Sequence, residues 1–363
     1  MLNLSRAALR LALVFAATVL CAAAAQALPQ TFVSASGNDA NTCERAAPCR
    51  TFAGALAKTD ANGEIIVLDA GEYGRLSITK SVKVTAVGVY AAVRTVAVVT
   101  GGNKTAENAV SIYSTQDIKV ALRGLTLIGA GINFGVAFGA QGGGTLSVED
   151  CTISGFKAGI SASFKSQVQV KDTVVRNNEI GISVNVTGGG VLTLAVDHCR
   201  LENNFNGLSV QTGPNYGSAA KVVVRDSLAA ANVPYGFSAV GPGTQMTVEG
   251  SAASGSTYGF TASKGAKLTV KNSVAANNQF GLYVTDAGTK ATAEGCALND
   301  NSNSGLLVRV GAAASVSDSA VTGNAVGLRN EPSNPGTLKT FGNNRVDGNT
   351  TSVSGALTPA SQL

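Results

Sequence analysis

The sequence contains no tryptophan and a single histidine, and aromatic residues make up only 5% of its 363 positions. A dedicated lectin stacks sugars on several aromatic rings, so this scarcity argues against one. A catalytic triad or a histidine metal site would depend entirely on His198. Charged residues account for only 13% of the chain and the formal net charge is +5. That charge is too small to indicate a nucleic-acid-binding protein, which needs a basic stripe or patch.

Residues 1–27 have the pattern of a secretory signal peptide. Arg6 and Arg10 precede an apolar run at 11–25, and Ala25-Gln26-Ala27 follows as a small-residue cleavage site. The alternative is a membrane anchor, which would need about 20 apolar residues without such a site. We therefore expect an exported protein, in the periplasm or outside the cell, with no membrane span after signal removal.

Glycine is abundant, with 43 residues, and much of it belongs to an internal repeat. Eight units between residues 146 and 328 are variants of the segment 168–184, VQVKDTVVRNNEIGISV. Their shared glycines are Gly159, Gly181, Gly207, Gly236, Gly259, Gly281, Gly305 and Gly327. A period near two dozen residues, with apolar alternation at every second position, predicts stacked coils of parallel strand. We attribute the corner glycine to its tolerance of left-handed or turn backbone.

The chemistry of each repeat position agrees from unit to unit, as stacked coils require. One predicted inward column is Val148, Val170, Val196, Val224, Val248, Val270, Ala293 and Val316, and a second is Ile160, Ile182, Leu208, Phe237, Phe260, Leu282, Leu306 and Leu328. A predicted outward column alternates in sign: Glu149, Lys171, Asp197, Arg225, Glu249, Lys271 and Glu294. Opposite charges on neighbouring strands attract, so Lys171→Glu should destabilise the fold.

These patterns divide the chain into a signal peptide at 1–27, an N-terminal cap with the first strands at 28–74, a parallel β-helix at 75–352 and a tail at 353–363. Apolar spacing within 48–59 predicts a short helix that would cover the open end of the first coil. Loops on a solenoid often gather on the binding face, and three deserve inspection: 101–108, 141–144 and 211–218.

The chain resembles the pectin-lyase-like right-handed parallel β-helix proteins. The resemblance consists of a strand, a helix and IIVLDAGEYG, followed by repeats of the form V-x-D-C/S and N-x-x-x-G-I/L. It implies an all-β fold, a right-handed single-stranded β-solenoid of about 11 to 12 coils with an N-terminal cap helix. That superfamily includes lyases, hydrolases, epimerases and phage tailspikes, so the resemblance leaves the function open.

The five cysteines after the signal peptide fall into two groups. Cys43 and Cys49 lie in one loop of an exported chain, which favours a disulfide between them. Cys151, Cys199 and Cys296 occupy one inward column. Two coils separate Cys151 from Cys199, or roughly 9.6 Å at the usual strand spacing, and a disulfide needs less than about 7 Å. We expect three buried unpaired thiols, and no metal or cofactor.

The resemblance leads us to look for the catalytic motifs of the polygalacturonases, and they do not occur in the chain. The Asn-Thr-Asp, Gly-His-Gly and Arg-Ile-Lys segments of polygalacturonases are missing. Asp150 and Asp172, on adjacent coils, could form the paired carboxylates of a glycosidase. Corner residues also stack in this way without catalysis, and His198 occupies the same corner. We interpret all three as turn residues.

Two surfaces could bind a ligand. A predicted outward column of Ser161, Ser183, Ser209, Ser238, Thr261 and Tyr283 could hydrogen-bond a glycan or ordered water, as in ice-binding solenoids, or could simply be solvated. Tyr216 in the third loop is a further candidate. Tyr235, Tyr258 and Phe280 precede three successive glycines; we favour a core stack, with an outward sugar-stacking stripe as the alternative.

We therefore expect an exported β-helix that serves as a binding or structural module and recognises a polysaccharide or another cell-surface glycan, with no catalytic residues. The alternative is a polysaccharide lyase or glycoside hydrolase that acts on acidic polysaccharide.

Overall fold

A computed structural model of the chain describes residues 28–100, 103–213 and 217–361. The predicted signal peptide and Tyr216 lie outside these residues. The described chain is a right-handed parallel β-solenoid of about 11 turns with one short helix, α1 (Phe52–Lys58). The predicted fold class is thus confirmed.

Forty strands, numbered β1 to β40 in chain order, form three parallel sheets and one antiparallel hairpin within the described residues. The first sheet contains β1 (Leu28–Val33), β2 (Thr59–Val67), β5 (Val82–Thr85), β10 (Ile118–Arg123), β13 (Gly144–Glu149), β16 (Ser166–Lys171), β19 (Gly190–Asp197), β22 (Ser218–Arg225), β25 (Thr244–Glu249), β28 (Lys267–Lys271), β31 (Lys290–Glu294), β34 (Ala313–Ser317), β37 (Thr337–Phe341) and β40 (Thr358–Ala360). The hairpin consists of β7 (Val98–Thr100) and β8 (Asn103–Thr105).

The second and third sheets complete each coil. The second contains β3 (Gly71–Glu72), β6 (Ala91–Arg94), β11 (Leu125–Ile128), β14 (Thr152–Ser154), β17 (Val174–Arg176), β20 (Arg200–Glu202), β23 (Leu228–Ala230), β26 (Ala252–Ser254), β29 (Val274–Ala276), β32 (Ala297–Asn299), β35 (Ala320–Thr322) and β38 (Arg345–Asp347). The third contains β4 (Leu76–Ile78), β9 (Val110–Ser114), β12 (Phe134–Ala140), β15 (Ala158–Ala162), β18 (Ile180–Val186), β21 (Asn206–Thr212), β24 (Tyr235–Val240), β27 (Tyr258–Ser263), β30 (Phe280–Val284), β33 (Ser304–Val308), β36 (Val326–Asn330) and β39 (Thr351–Ser354).

The inward columns lie in the register that the repeat predicts. Val148 pairs with Val170 and Val170 with Val196 in the first sheet, and Ile160 pairs with Ile182 in the third. Both columns are buried throughout. Because neighbouring strands are about 4.8 Å apart, each side chain packs on its equivalents in the coils before and after it.

The first corner, between the first and second sheets, turns through one left-handed residue. The φ angles there lie between 45° and 53°, at Asp150, Asp172, His198, Asp226, Asn272 and Asp318. Asp and Asn tolerate this conformation better than most residues. The interpretation of Asp150, Asp172 and His198 as turn residues agrees with this geometry.

The repeated glycine has a different role from the one that the sequence suggests. Positive φ at the second corner belongs to Asn177, whereas Gly181 and its equivalents have no left-handed φ. A Cβ built on Gly207 would lie 2.6 Å from the carbonyl oxygen of Gly236 in the next coil. The glycine is therefore required because successive coils approach too closely for any side chain.

A buried asparagine ladder follows the second corner and was not anticipated. Its positions are Asn178, Asn204, Asn232, Ser256, Asn278, Asn301, Asn324 and Asn349. At a typical rung, Asn278 Oδ1 accepts a hydrogen bond from the Ser256 backbone N–H (3.0 Å), while Nδ2 donates to the carbonyl of Ala253 (3.0 Å) and to Asn301 Oδ1 (3.2 Å). The ladder satisfies backbone groups that the turn removes from the sheets.

The N-terminal region contains the predicted helix in shorter form, Phe52–Lys58 rather than 48–59. Thr51 caps it, because its Oγ1 accepts a hydrogen bond from the Gly54 N–H at 3.0 Å. Phe52 and Ala55 are buried, and the helix contacts β1, β2 and β4. Its function as a cap stays a prediction. At the other end, β40 still pairs with β37 within the segment that we assigned to the tail.

The cysteine predictions are confirmed. Cys43 and Cys49 form a disulfide with a Cα–Cα distance of 4.7 Å, and Cys151, Cys199 and Cys296 are buried and unpaired. Burial raises the pKa of Cys151 to about 12 and that of Cys199 to about 11. Both therefore remain neutral thiols at physiological pH and act as small core residues.

The charged column also follows the predicted register, with unequal contacts. Lys271 Nζ lies 3.0 Å from Glu294 Oε2, and Glu249 is its partner on the other side. Lys171 pairs in register with Glu149 and Asp197, but its ion pair is with Asp172 of its own coil, at 3.7 Å.

We predict that Lys271→Glu will lower the urea midpoint of unfolding, and by more at low salt than at high salt, because it removes the 3.0 Å ion pair with Glu294 and places a third carboxylate between Glu249 and Glu294 in solvent. Lys171→Glu is the matched control and should lower the midpoint less, because it places a carboxylate between Glu149 and Asp197 but removes no ion pair between coils. Urea melts of both variants at two salt concentrations measure the difference. Equal, salt-independent losses would show that the column does not act as a ladder.

Candidate functional site

The outer face of the third sheet carries an open groove near its N-terminal end, which we call the tyrosine groove. Its volume is about 420 Å³, and it is lined by Thr79, Tyr113, Ser114, Thr115, Gln116, Gly139 and Gln141. The side chains are an aromatic ring, two amides and three hydroxyls, so the groove presents hydrogen-bonding groups around one apolar surface. Sites that bind small polar molecules combine these features.

Tyr113 is positioned by the alternation of β9 and by a glycine on the next coil. Val110 and Ile112 point inward and are buried, which directs Ser111 and Tyr113 outward. Tyr113 pairs in register with Gly139 of β12. A Cβ on Gly139 would lie 2.7 Å from Tyr113 Cε1 and 2.8 Å from Cδ1. The ring thus packs against the bare backbone of Gly139 and is still 54% exposed.

A second groove adjoins the first and contains two basic residues. It has a volume of about 550 Å³ and lies between α1 and β4, lined by Thr51, Ala53, Leu56, Ala57, Gly74, Arg75, Ser77, Thr79 and Lys80. Thr79 borders both grooves. Arg75 forms an ion pair with Glu107, and the Lys80 ammonium donates to the Thr59 carbonyl. The basic residues lie at one end of the combined surface.

The predicted hydroxyl column crosses this same face. Strand pairing extends it upstream through Ser77 and Ser111, and then through Ala137 to Ser161, Ser183 and Ser209. Ser161, Ser183 and Ser209 are half-buried. Ser238 and Thr261 are each only 4% exposed, and Tyr283 is half-buried among other aromatic rings. The part of the column that is open to a ligand therefore lies next to the tyrosine groove.

The aromatic stack faces outward, which corrects the core stack that we favoured. Tyr235, Tyr258 and Phe280 are half-buried on the third sheet, while Phe237 and Phe260 occupy the core. The ring centroids of Tyr235 and Tyr258 are 5.1 Å apart, and those of Tyr258 and Phe280 are 5.2 Å apart. Their interplanar angles are 20° and 10°.

This stacking also argues against a sugar-binding stripe on these rings. A sugar packs its C–H groups on the face of a ring, and both faces of Tyr258 are covered by its neighbours in the stack. Tyr283 lies against the same cluster at 4.8 Å from Tyr258, tilted by 56°. The cluster therefore covers the outer face of β24, β27 and β30, and aromatic stacking accounts for it.

The candidate carboxylates lie at the first corner, away from these grooves, and are ion-paired. Asp150 Oδ2 accepts a hydrogen bond from Arg123 Nε at 3.1 Å, and Asp172 lies 3.7 Å from Lys171 Nζ. His198 Nδ1 lies 3.0 Å from Asp197 Oδ1, and Asp226 completes a group whose potential ligand atoms are within 4.8 Å of one another. Asp226 and His198 are exposed at the surface. We assign neither catalysis nor a metal to this corner.

Sequence reasoning missed Tyr113 and Gln116, and it singled out Gln141 only as part of the loop at 141–144. They lie in the irregular region before the clear repeats, where the unit cannot be aligned by its glycine. The loop at 141–144 was singled out, and it separates the tyrosine groove from a further groove of about 520 Å³ beside Lys165 and Thr193. The sequence does contain a signal for Tyr113. Apolar Val110 and Ile112 alternate with Ser111, and this alternation predicts an outward side chain at Tyr113.

The solved structures that are similar to this chain share its fold. The complex of XylC with xylose has a TM-score of 0.50 and 8% identity, over 86% of this chain and 69% of that one. The periplasmic alginate epimerase AlgG has a TM-score of 0.50 and 11% identity, over 86% and 83%. The A-module of the Azotobacter vinelandii mannuronan C-5 epimerase AlgE4 has a TM-score of 0.49 and 13% identity, over 83% and 89%. At such identities the likeness concerns the fold alone.

No curated protein sequence matches the chain significantly. Within the described residues, no helix is both long enough and apolar enough to cross a membrane.

A family model described as "Right handed beta helix region" matches residues 66–227 and 209–351. Together these matches extend over most of the chain, and they include the strands that form both grooves and the asparagine ladder. The chain therefore belongs to the family of right-handed β-helix proteins, in agreement with the right-handed parallel β-helix that its repeats predict.

Proposed function

We propose that this protein is an exported polysaccharide-binding β-helix and that the tyrosine groove is its principal binding surface. The observation that carries the proposal is the Tyr113 ring, which lies against Gly139, is 54% exposed and is surrounded by amide and hydroxyl groups. A sugar ring has one C–H surface and a rim of hydroxyls. The groove offers a partner for each.

The surroundings of the groove favour a chain of sugars over a single one. The hydroxyl column leads away from the groove through Ser161, Ser183 and Ser209 on successive coils. The groove beside α1 continues the surface in the opposite direction and adds Arg75 and Lys80. A polymer that lies along the solenoid axis would meet all three regions. Structures with the same fold include a xylose complex and an alginate epimerase, which is consistent with a carbohydrate ligand.

Export is supported by the disulfide between Cys43 and Cys49. Disulfides persist in oxidising compartments and are rare in the cytosol. The signal-peptide pattern of residues 1–27 agrees with this location. Periplasm and cell exterior are both compatible with these features.

Tyr113→Ala should weaken glycan binding about tenfold, because it removes the apolar surface of the groove. A tenfold loss corresponds to about 1.4 kcal/mol, near the upper end of what an aromatic contact contributes beyond the area that it buries. A glycan array with the protein from residue 28 onward would identify the ligand, and calorimetric titration would measure the affinity. Tyr90→Ala is the matched control, since Tyr90 is 50% exposed but lines neither groove.

Equal binding by the two variants would show that the tyrosine groove is not the site. Incubation of the protein with uronic-acid polymers, followed by product analysis, decides the catalytic alternative. Release of unsaturated or reducing sugar from uronic-acid polymers would identify a lyase or a hydrolase, and binding without release supports the module. Absence of any glycan ligand would leave a structural role.

A further inference from the structure

The outer face of the second sheet is uncharged over five successive coils. Each strand there places two residues outward, and the ten are Leu228, Ala230, Ala252, Ser254, Val274, Ala276, Ala297, Asn299, Ala320 and Thr322. Seven of these are apolar. None is buried, and Val274 is 41% exposed. We call this surface the alanine face.

The alanine face differs from the outer surfaces of the other two sheets. The first sheet carries its charged column, and the third carries hydroxyls and the aromatic cluster. Small side chains make the alanine face shallow, so another flat surface could approach it closely. A contiguous apolar surface of this kind on a soluble protein commonly marks an interface.

Ion pairs bound the alanine face at both ends, in the same arrangement. Arg200 Nη2 lies 2.6 Å from Glu202 Oε1 in the coil before it, and Arg345 Nε lies 3.4 Å from Asp347 Oδ1 in the coil after it. In each row the arginine takes the first outward position of the strand and the acid takes the second. Val274 lies in the middle of the seven rows, so the two charged rows are equally distant from it.

We infer that the alanine face binds a second copy of this chain, with the two solenoids parallel and related by a two-fold axis along the solenoid direction. Two copies of a flat face can be related by a two-fold axis that runs along the solenoid or by one that runs along the strands. The first axis leaves the two solenoids parallel, and the second makes them antiparallel. The first places Arg200 over Glu202 of the other copy, and Arg345 over its Asp347. The second reverses the coil order and places Arg200 over Arg345, which repels. Charge therefore selects the parallel arrangement.

The corner residues beside the alanine face agree with this choice. In the parallel arrangement each first-corner residue meets the second-corner residue of the same coil. Asp226 then faces Ala231 of the other copy, and Asp318 faces its Gly323. The antiparallel arrangement would instead bring Asp226 to Asp318. Like charges are thus kept apart only when the solenoids are parallel.

The size of the alanine face implies a weak dimer. The five rows of the alanine face and the two charged rows that bound it are about 4.8 Å apart, on strands of three residues at about 3.3 Å each, and together cover an area of a few hundred Å² per subunit. A standard stable interface buries about 800 Å² per partner. We therefore expect a dissociation constant between about 1 μM and 1 mM.

Sedimentation velocity across that concentration range tests the dimer. Val274→Glu places two carboxylates in the interface and should raise the dissociation constant at least about tenfold. Thr193→Glu, on the exposed outer face of the first sheet, is the control and should leave it unchanged. Circular dichroism and thermal melts of both variants establish that they are folded. A monomer at every concentration, or equal dissociation constants for the two variants, would overturn the inference.

Charge variants at the end row test the symmetry. Arg200→Glu should weaken the parallel dimer, because Glu202 of the other copy then faces a carboxylate, and the loss should diminish at high salt. The double variant Arg200→Glu with Glu202→Arg should restore the dimer, since each new charge again meets its opposite. In an antiparallel dimer both variants would bind more tightly than the wild type, which would refute the parallel arrangement.

Discussion

Replacing Gly281 with alanine should destabilise the fold by about 3 kcal/mol or more. The new Cβ would lie 2.5 Å from the carbonyl oxygen of Gly305 and 3.0 Å from Asn301 Nδ2. Real Cβ atoms essentially never lie as close as 2.5 Å to another atom, and the Gly305 oxygen belongs to the backbone of the next coil. Relief requires the two coils to separate, which would lengthen hydrogen bonds of the third sheet and disturb the asparagine ladder.

Gly342→Ala is the matched control for this prediction. A Cβ there meets nothing within 4 Å, and Gly342 has no left-handed φ. We expect its effect on the free energy of unfolding to stay within about 0.5 kcal/mol. Urea melts of the two variants give the comparison. A Gly281→Ala protein as stable as the control would mean that the coils are not as closely spaced at this column as the structure describes.

Asn278→Ala should destabilise the fold by about 4 kcal/mol. The substitution removes the acceptor of the buried Ser256 N–H and the donor to the Ala253 and Ala276 carbonyls. Each buried group that loses its partner costs about 1 to 3 kcal/mol. Gln279→Ala, at the exposed neighbouring position, should change the stability by less than about 0.5 kcal/mol.

A gain of stability offers an independent check of the ladder. Ser256 interrupts the run of asparagines, and its hydroxyl makes one long contact, at 3.4 Å, to the Ser254 carbonyl. Ser256→Asn would supply an acceptor for Asn232 of the preceding coil, and we expect it to stabilise the fold by about 1 kcal/mol. If the ladder contributes little to stability, Asn278→Ala and Gln279→Ala will have similar free energies of unfolding. Ser256→Asn will then leave the free energy of unfolding unchanged.

Much of the fold follows from the sequence because a solenoid repeats one set of neighbours. A residue stacks on the same position of the next coil, so the valine column through Val170 and the thiols of Cys151 and Cys199 could be placed without coordinates. The disulfide was predictable for another reason, since Cys43 and Cys49 share one short loop. Local spacing and coil stacking suffice for these features.

The direction of the aromatic stack could not be predicted from alternation, because it depends on contacts between neighbouring coils. Simple alternation from Phe260 would direct Tyr258 inward, yet Tyr258 lies outside. The intervening Gly259 explains this result: a Cβ there would lie 2.8 Å from the Gly281 carbonyl oxygen of the next coil and 3.4 Å from the buried Ala253 Cβ, so Gly259 and Phe260 both face the interior. The alternation of inward and outward side chains therefore begins again at Phe260. This shift follows from the contact between two coils, so the spacing of residues in the sequence does not reveal it.

The candidate site shows the same division. The repeat pattern alone predicts that hydroxyls such as Ser161 and Ser183 line an outward column, because one position of a regular repeat defines it. The contacts that place Tyr113 on Gly139, beside Gln116 and Gln141, could not be predicted in this way, because they cross between coils of unequal length. In regular coils, one repeated sequence position becomes one column on the surface. In irregular coils, the surface depends on how the loops fold against one another.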